Sequence, residues 1–184
     1  MAISWNAHRF AGGVLALSAA NTVVNRNDPE RREDRFALPG EMARFGVAAA
    51  VHCREELAGE AVDPGDPGLV IAVREAVDDL FRDHAERGEP DPARLAQFLR
   101  IAADAIETET ASGLGLAAAM ALSGLSLLRP ERLARIRACP NCDWLFFDRS
   151  RNGSRIWCDM AVCGNRAKAR RHHRRRTKGV SGHG

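Results

Sequence analysis

The chain has 184 residues, 45% of them hydrophobic, enough to bury one core and too few for more than a small second unit. Residues 1–138 carry 16 Lys+Arg against 21 Asp+Glu, whereas residues 139–184 carry 11 against 3, so the two parts suit different partners. Four of the five cysteines fall between positions 139 and 163, which excludes a disulfide framework spread over the chain and predicts metal ligands in a reducing, cytoplasmic setting.

Phe10–Ala20 is apolar over a signal-like length, but Gly12 and Gly13 interrupt it and only Arg9 precedes it, so it is read as part of the fold. The glycines and alternating apolar residues of Arg9–Leu17 predict a short strand or hairpin, followed by LSAANTVVNR. Three Asp-Pro pairs, Asp28-Pro29, Asp66-Pro67 and Asp91-Pro92, each set an N-cap acceptor before a proline suited to the first helical turn, and each predicts a helix. Leu69, Val73, Val77, Leu80 and His84 recur at helical spacing after the second pair. Leu95, Phe98, Leu99, Ala102 and Ile106 do so after the third.

The short loops 63–68 and 87–92 predict antiparallel neighbours. His52-Cys53 reads as packing on a helix. Ala111–Leu128 is uncharged but rich in Ala, Gly and Ser, which predicts a buried helix and no membrane span. Pro130 opens a predicted helix, ERLARIRA, with Leu133 and Ile136 on its apolar side. The fold class is thus α+β. A mainly helical unit over 1–130 carries a short strand or hairpin element, a linking helix and small zinc finger occupy 131–178, and a flexible end follows at 179–184.

Cys139 and Cys142 form a Cys-x-x-Cys turn, and Cys158 and Cys163 follow after a gap that suits one tetrahedral Zn²⁺. Asn152-Gly153 between LFF and RIW predicts a hairpin inside that gap. The tail therefore reads as knuckle, β-hairpin, second ligand pair and basic helix, a treble-clef-like order. Cys158 and Cys163 lie five residues apart, about 140° around a helix, so the chain must bend there; Gly164 is the residue able to take positive φ, and Asn165 a cap for the next helix. A redox reading of CPNC is weaker, because a second pair sits at metal spacing. Trp144, Phe146, Phe147 and Trp157 read as the hairpin's small core rather than as a platform for stacking bases.

From Asn165 onward, NRAKARRHHRRRTK places Arg166, Arg170 and Arg174 along one helical row, with Lys168, Arg171, Arg175 and Lys178 beside it. Four thiolates and a Zn²⁺ add about −2, which leaves the tail at about +6 and attractive to a polyanion. Lys168, Arg170, Arg171, Arg174 and Arg175 are candidate phosphate contacts. Asn165 and Arg166 are candidates for reading base edges; Asn165 equally serves as a cap and Arg166 as a stack on Trp157.

SRNGSRIWCDMAVCGNRAKARRHHRRR and the upstream CPNCDWLFFD resemble the CGNR zinc-finger family, whose tetrad is here Cys163, Gly164, Asn165 and Arg166. GGVLALSAANT resembles, more loosely, the Leu-Asp-x-x-Asn-Thr segment of that family's N-terminal ABATE-type domain. The resemblance implies a stress-induced transcription regulator with an N-terminal unit sensing a small-molecule effector and a treble-clef finger binding duplex DNA. It makes Asn21 and Thr22 candidates for the effector site, although Ser18 replaces the family's aspartate; by residue type alone the two are a polar turn or cap.

The expected function is DNA-binding regulation with Zn²⁺ as cofactor. The alternative is a zinc-stapled module for RNA or protein without sequence readout. No phosphate loop, nucleophile elbow or paired-carboxylate signature is present, and a closed four-cysteine site leaves no open metal position, so no enzyme is expected. The sequence leaves the oligomeric state open, a dimer included.

Overall fold

A computed structural model describes residues 3–109 and 113–180, with side chains as far as His173. The chain opens with a 3₁₀ turn at Ala7–Phe10 and then α1 (Leu15–Ala20), all six of whose residues are buried. The strand or hairpin expected over Arg9–Leu17 does not form: a segment enclosed on every side carries no one-sided periodicity to read. Val14 offers no side-chain cap, so α1 is capped from elsewhere. Glu56 accepts from Leu15 N at 2.6 Å, and Ser123 Oγ accepts from Ala16 N at 3.0 Å while donating to Glu56 at 2.6 Å.

A small hairpin does form further on, where β1 (Val23–Val24) pairs antiparallel with β2 (Glu33–Asp34). Asp28-Pro29 lies in its loop and starts no helix. Asp28 N donates to Asn25 O and Arg31 N to Asp28 O, both at 3.0 Å. The following ERREDR has no apolar stripe for a helix to bury, and a short helix without one is unstable.

Next come α2 (Glu41–His52) and the single turn α3 (Arg54–Leu57). His52 stacks on Phe10 with centroids 4.7 Å apart. Burial pushes the Cys53 thiol up to about 12, so this pair is packing, as its position predicts.

The other two Asp-Pro pairs open long helices. Asp66 accepts from Gly68 N at 2.8 Å ahead of α4 (Pro67–Arg87), and Asp91 accepts from Ala93 N at 2.9 Å ahead of α5 (Pro92–Glu109). Leu69, Val73, Val77, Leu80 and His84 are buried along α4, and Phe98 and Ala102 along α5, while Leu99 is exposed. The uncharged run becomes α6 (Leu116–Leu127), enclosed by α1, α4 and α5; its first residues, Ala111 and Ser112, lie outside the described residues. A Cβ on Gly124 would sit 2.7 Å from the Phe98 ring, so the close approach of α5 and α6 requires glycine there. No described helix is long and apolar enough to cross a membrane.

Charge is also buried against α4, which apolar spacing does not foretell. Arg74 is 1% exposed. Its guanidinium holds both Asp34 oxygens at 2.7 Å, reaches Thr22 Oγ1 at 3.3 Å and Glu75 at 2.8 Å, and lies 5.5 Å from the Phe36 ring centre.

Pro130 opens only one turn, α7 (Pro130–Leu133), and Ile136 belongs to a strand rather than to the helix expected over ERLARIRA. Strand β3 (Ile136–Ala138) pairs antiparallel with β4 (Leu145–Phe147) in the register Ile136↔Phe147. Pairing satisfies the backbone and sinks Ile136 to 1% exposure, which continuing a four-residue helix would not do. Successive side chains of a strand point to opposite faces. Leu145 and Phe147 accordingly enter the main helical core with Ile136, whereas Phe146 enters a second cluster with Cys139, Cys158 and Cys163. Segments 1–130 and 131–178 therefore share one core through this hairpin. The last element is α8 (Asn165–Val180), which includes the first two residues of the end expected at 179–184; residues 181–184 lie outside the described residues.

Candidate metal centre

The β3–β4 connection is the Cys139–Cys142 knuckle itself. Cys139 N donates to Trp144 O at 2.9 Å and Asp143 N to Cys139 O at 2.8 Å, closing a tight loop whose last turn puts Asp143 at φ 62°. This corrects the hairpin expected around Asn152-Gly153. That dipeptide makes a turn, with Gly153 at φ 60°, but no strand follows it. The buried Asp148 carboxylate instead gathers the loop, accepting from Ser150 N and Arg155 N at 2.8 Å each, so RIW returns beneath β4 as irregular chain.

Cys158 and Cys163 then flank a bend, as their angular separation requires. A single wide turn of π-type at Met160–Gly164 leads into α8. Asp159 caps it, its Oδ1 accepting from Ala161 N at 2.8 Å and Val162 N at 3.2 Å. Gly164 is not among the positive-φ residues, contrary to the expected role, because the wide turn makes the bend within negative φ. Asn165 does not cap α8 but is its first residue; it closes the preceding turn instead, its Nδ2 donating to Ala161 O at 2.9 Å. A Cβ on Gly164 would meet Met160 Sδ at 2.5 Å and Trp157 Cδ1 at 3.4 Å. The Met160 side chain is flexible and 57% exposed, so it can move aside. Gly164→Ala is thus expected to keep its zinc and to change stability by less than about 1 kcal/mol, read by metal analysis and thermal melting; loss of the metal would show that glycine is required.

The four thiols converge. All four Sγ atoms lie within 4.8 Å of one another, with Cys142–Cys158 at 3.5 Å, Cys142–Cys163 at 3.6 Å and Cys158–Cys163 at 3.7 Å. A tetrahedral Zn²⁺ with Zn–S of about 2.3 Å needs sulfur–sulfur edges of about 3.8 Å, whereas a disulfide needs about 2.05 Å. All four cysteines are free thiols. Their crowding conflicts with their own ionisation: hydrogen bonds from Cys142 and then Cys158 hold the Cys139 thiol far below its ordinary range, and the hydrogen bond to Cys139 pushes Cys142 up to about 12 and Cys158 higher still. A divalent cation resolves the conflict by stabilising all four thiolates at once. Asn141 Nδ2 adds a donor to Cys163 Sγ at 3.2 Å.

A closed, all-sulfur, tetrahedral donor set suits zinc held for structure. Residues 135–176 match the family model of the CGNR zinc finger. Comparison with curated proteins and with solved structures gives no match.

The rest of the chain grips the CGNR finger. Asn21 is 2% exposed and spends its amide on Leu145, donating to O at 2.8 Å and accepting from N at 2.9 Å. Thr22 is buried too, its hydroxyl donating to Ala19 O at 2.7 Å. The structure thus turns both expected effector-site residues inward, where Asn21 pins a strand of the finger. Arg82 reaches the Asp143 carbonyl at 2.9 Å and its carboxylate at 3.1 Å, and Asn27 meets that carboxylate at 2.6 Å. His8 bonds Asp159 at 2.7 Å and stacks on Trp144 with centroids 5.2 Å apart. Burial would raise the Asp159 carboxyl, but the His8 bond and the Val162 and Ala161 amides outweigh it and hold the group below its ordinary range.

Asn165, Arg166, Lys168, Arg170 and Arg171 are exposed on α8, while Ala167 is buried on it next to Cys163 and Gly164 of the preceding turn. Arg166 makes no hydrogen bond, ion pair or stack among the described residues, so the stack on Trp157 does not occur; Arg155 instead lies over Phe146 at 5.0 Å. Arg170 donates to Asn141 Oδ1. Arg174 and Arg175 continue the helix, with side chains beyond those described. His8 and Asp159, which clamp the ligand turn, are not singled out by the sequence. Only Asp159 carries a local signal, an Asx residue directly before the ligand turn.

Proposed function

We propose that the chain is a zinc-dependent regulator that binds duplex DNA through α8, with the helical part as its responsive unit. One observation carries this reading: α8 leaves the metal-anchored turn directly, with Asn165, Arg166, Lys168, Arg170 and Arg171 all exposed. A helix fixed at one end by a metal site can present cations at a set angle to a groove. Affinity would come from phosphate contacts and preference from residues nearest the fixed end.

Arg166 is the residue to test, because its guanidinium is unengaged and stands three residues past Cys163. Arg166→Ala is expected to cost about 1–3 kcal/mol on preferred duplexes only, measured by anisotropy on duplexes selected from a random pool. Arg171→Ala should weaken all duplexes alike and lower the salt slope by about one unit. Tighter binding to single-stranded RNA than to any duplex would favour the interaction-module reading instead.

A further inference from the structure

Beside the metal centre lies a groove of about 650 Å³ walled by both parts of the chain. His8, Arg9 and Arg31 come from the helical part; Trp144, Arg166 and Arg170 come from the finger. No carboxylate lines it. Those nearby are already engaged, Asp159 by His8 at 2.7 Å and Asp28 by Arg31 at 3.4 Å. The side chains of Arg9 and Arg166 have no hydrogen-bond or ion-pair partner among the described residues.

Two further features mark the wall as built for an anion. Trp144 is 5% exposed, and its buried indole N–H meets no acceptor, an uncommon state for a buried donor. Arg35 is 4% exposed; its guanidinium lies 5.5 Å from the Trp144 ring centre without a carboxylate bonded to it. Burial, then the nearby Arg9 charge, pushes Arg35 down to about 10 against the partial opposition of Glu33, so it stays a cation at neutral pH, and like charge is concentrated on this wall. Cys142 and Cys163 also line the groove, and a zinc–tetrathiolate carries about −2. Four guanidiniums at the rim and a fifth behind Trp144 exceed that charge.

We propose that this groove binds a phosphate group, the first ten residues and the finger each supplying part of the site. Guanidinium forks match phosphate oxygens, and the His8 imidazole stands beside them in the same wall. The phosphate is either a backbone phosphodiester of a duplex lying along α8 or the phosphate of a free phosphorylated compound. The first source rests on the DNA-binding reading and the second does not.

The test uses the zinc-loaded full chain as wild type, Arg9→Ala and Arg9→Lys, each checked for zinc content and melting temperature. Arg31→Ala, in the exposed β1–β2 loop, repeats the measurement should Arg9→Ala alter the fold. Inorganic pyrophosphate is titrated by calorimetry, and a selected duplex is bound across a salt series. Arg9→Ala is expected to weaken pyrophosphate about tenfold or more, with substantial recovery in Arg9→Lys. A duplex salt slope lowered by about one unit assigns the phosphate to the DNA backbone; an unchanged slope with pyrophosphate binding lost assigns it to a free compound. Wild type that binds pyrophosphate but no duplex would retain the groove and overturn the DNA reading. Duplex and pyrophosphate binding that are both indifferent to the Arg9 and Arg31 variants would overturn the groove and leave the DNA reading standing.

Discussion

Removing zinc, by chelation or by Cys158→Ser, is expected to unfold the knuckle and the turn into α8 while the helical core persists. Binding of structural zinc is worth about 10–16 kcal/mol in small finger peptides at neutral pH, comparable to the whole stability of a domain at about 5–15 kcal/mol. Around the metal, the cluster formed by Cys139, Trp144, Phe146, Cys158 and Cys163 is too small to hold together alone. The limit of the unfolding is set by the β-hairpin. Leu145 is bonded twice to Asn21, and Phe147 N donates to Gly12 O at 2.9 Å, so the inward face of β4 stays attached to the helices. Hydrogen exchange should lose protection at Cys163 and Gly164, keep it at Leu145 and Phe147, and be accompanied by a change in the emission of Trp144 and Trp157. Unaltered protection at Cys163 and Gly164 after complete metal removal would refute the account.

Arg74→Met should be the most destabilising change outside the finger, costing about 3–5 kcal/mol and lowering the melting temperature by on the order of 10 °C. The side chain is enclosed, and its loss strands the Asp34 carboxylate and frees β2 from α4. Burial raises the Asp34 carboxyl, but the hydrogen bonds and charge of Arg74 outweigh it and hold the group below its ordinary 3.8. A depressed carboxyl adds stability that is complete above the unfolded value and is lost as pH falls through the folded one. The gap between wild type and Arg74→Met should therefore be full at neutral pH and shrink below about pH 4. Asp34→Asn added to Arg74→Met should recover part of the loss, since no charge is then stranded. Denaturant unfolding across pH reads both effects, and a neutral-pH loss under about 1 kcal/mol would show that the pair is not a tie.

Local chemistry was legible in the residues alone wherever it acts over a few positions. Asp66-Pro67 and Asp91-Pro92 start helices because cap and proline act within one turn. The four cysteines are recognisable because tetrahedral ligation constrains their spacing and chemistry. Asp28-Pro29 carries the same local signal and starts no helix, because the chain must return to pair with β1 and the segment between offers no apolar stripe for a helix to bury.

Tertiary structure decided the rest. Leu15–Ala20 became a helix because it is enclosed on all sides and capped by Glu56 and Ser123, residues 41 and 107 positions away from the amides they satisfy. Ile136 became strand because pairing with Phe147 carried it into the core. Asn21 and Thr22, legible only as a polar turn, acquired their roles from contacts distant in sequence, to Leu145 and Arg74. The sequence alone determined the metal site and the basic helix, whose residues lie within about forty positions of one another. It could not show that Arg9 and Arg31 join Arg166 at one groove, since no local propensity records which distant charges folding brings together.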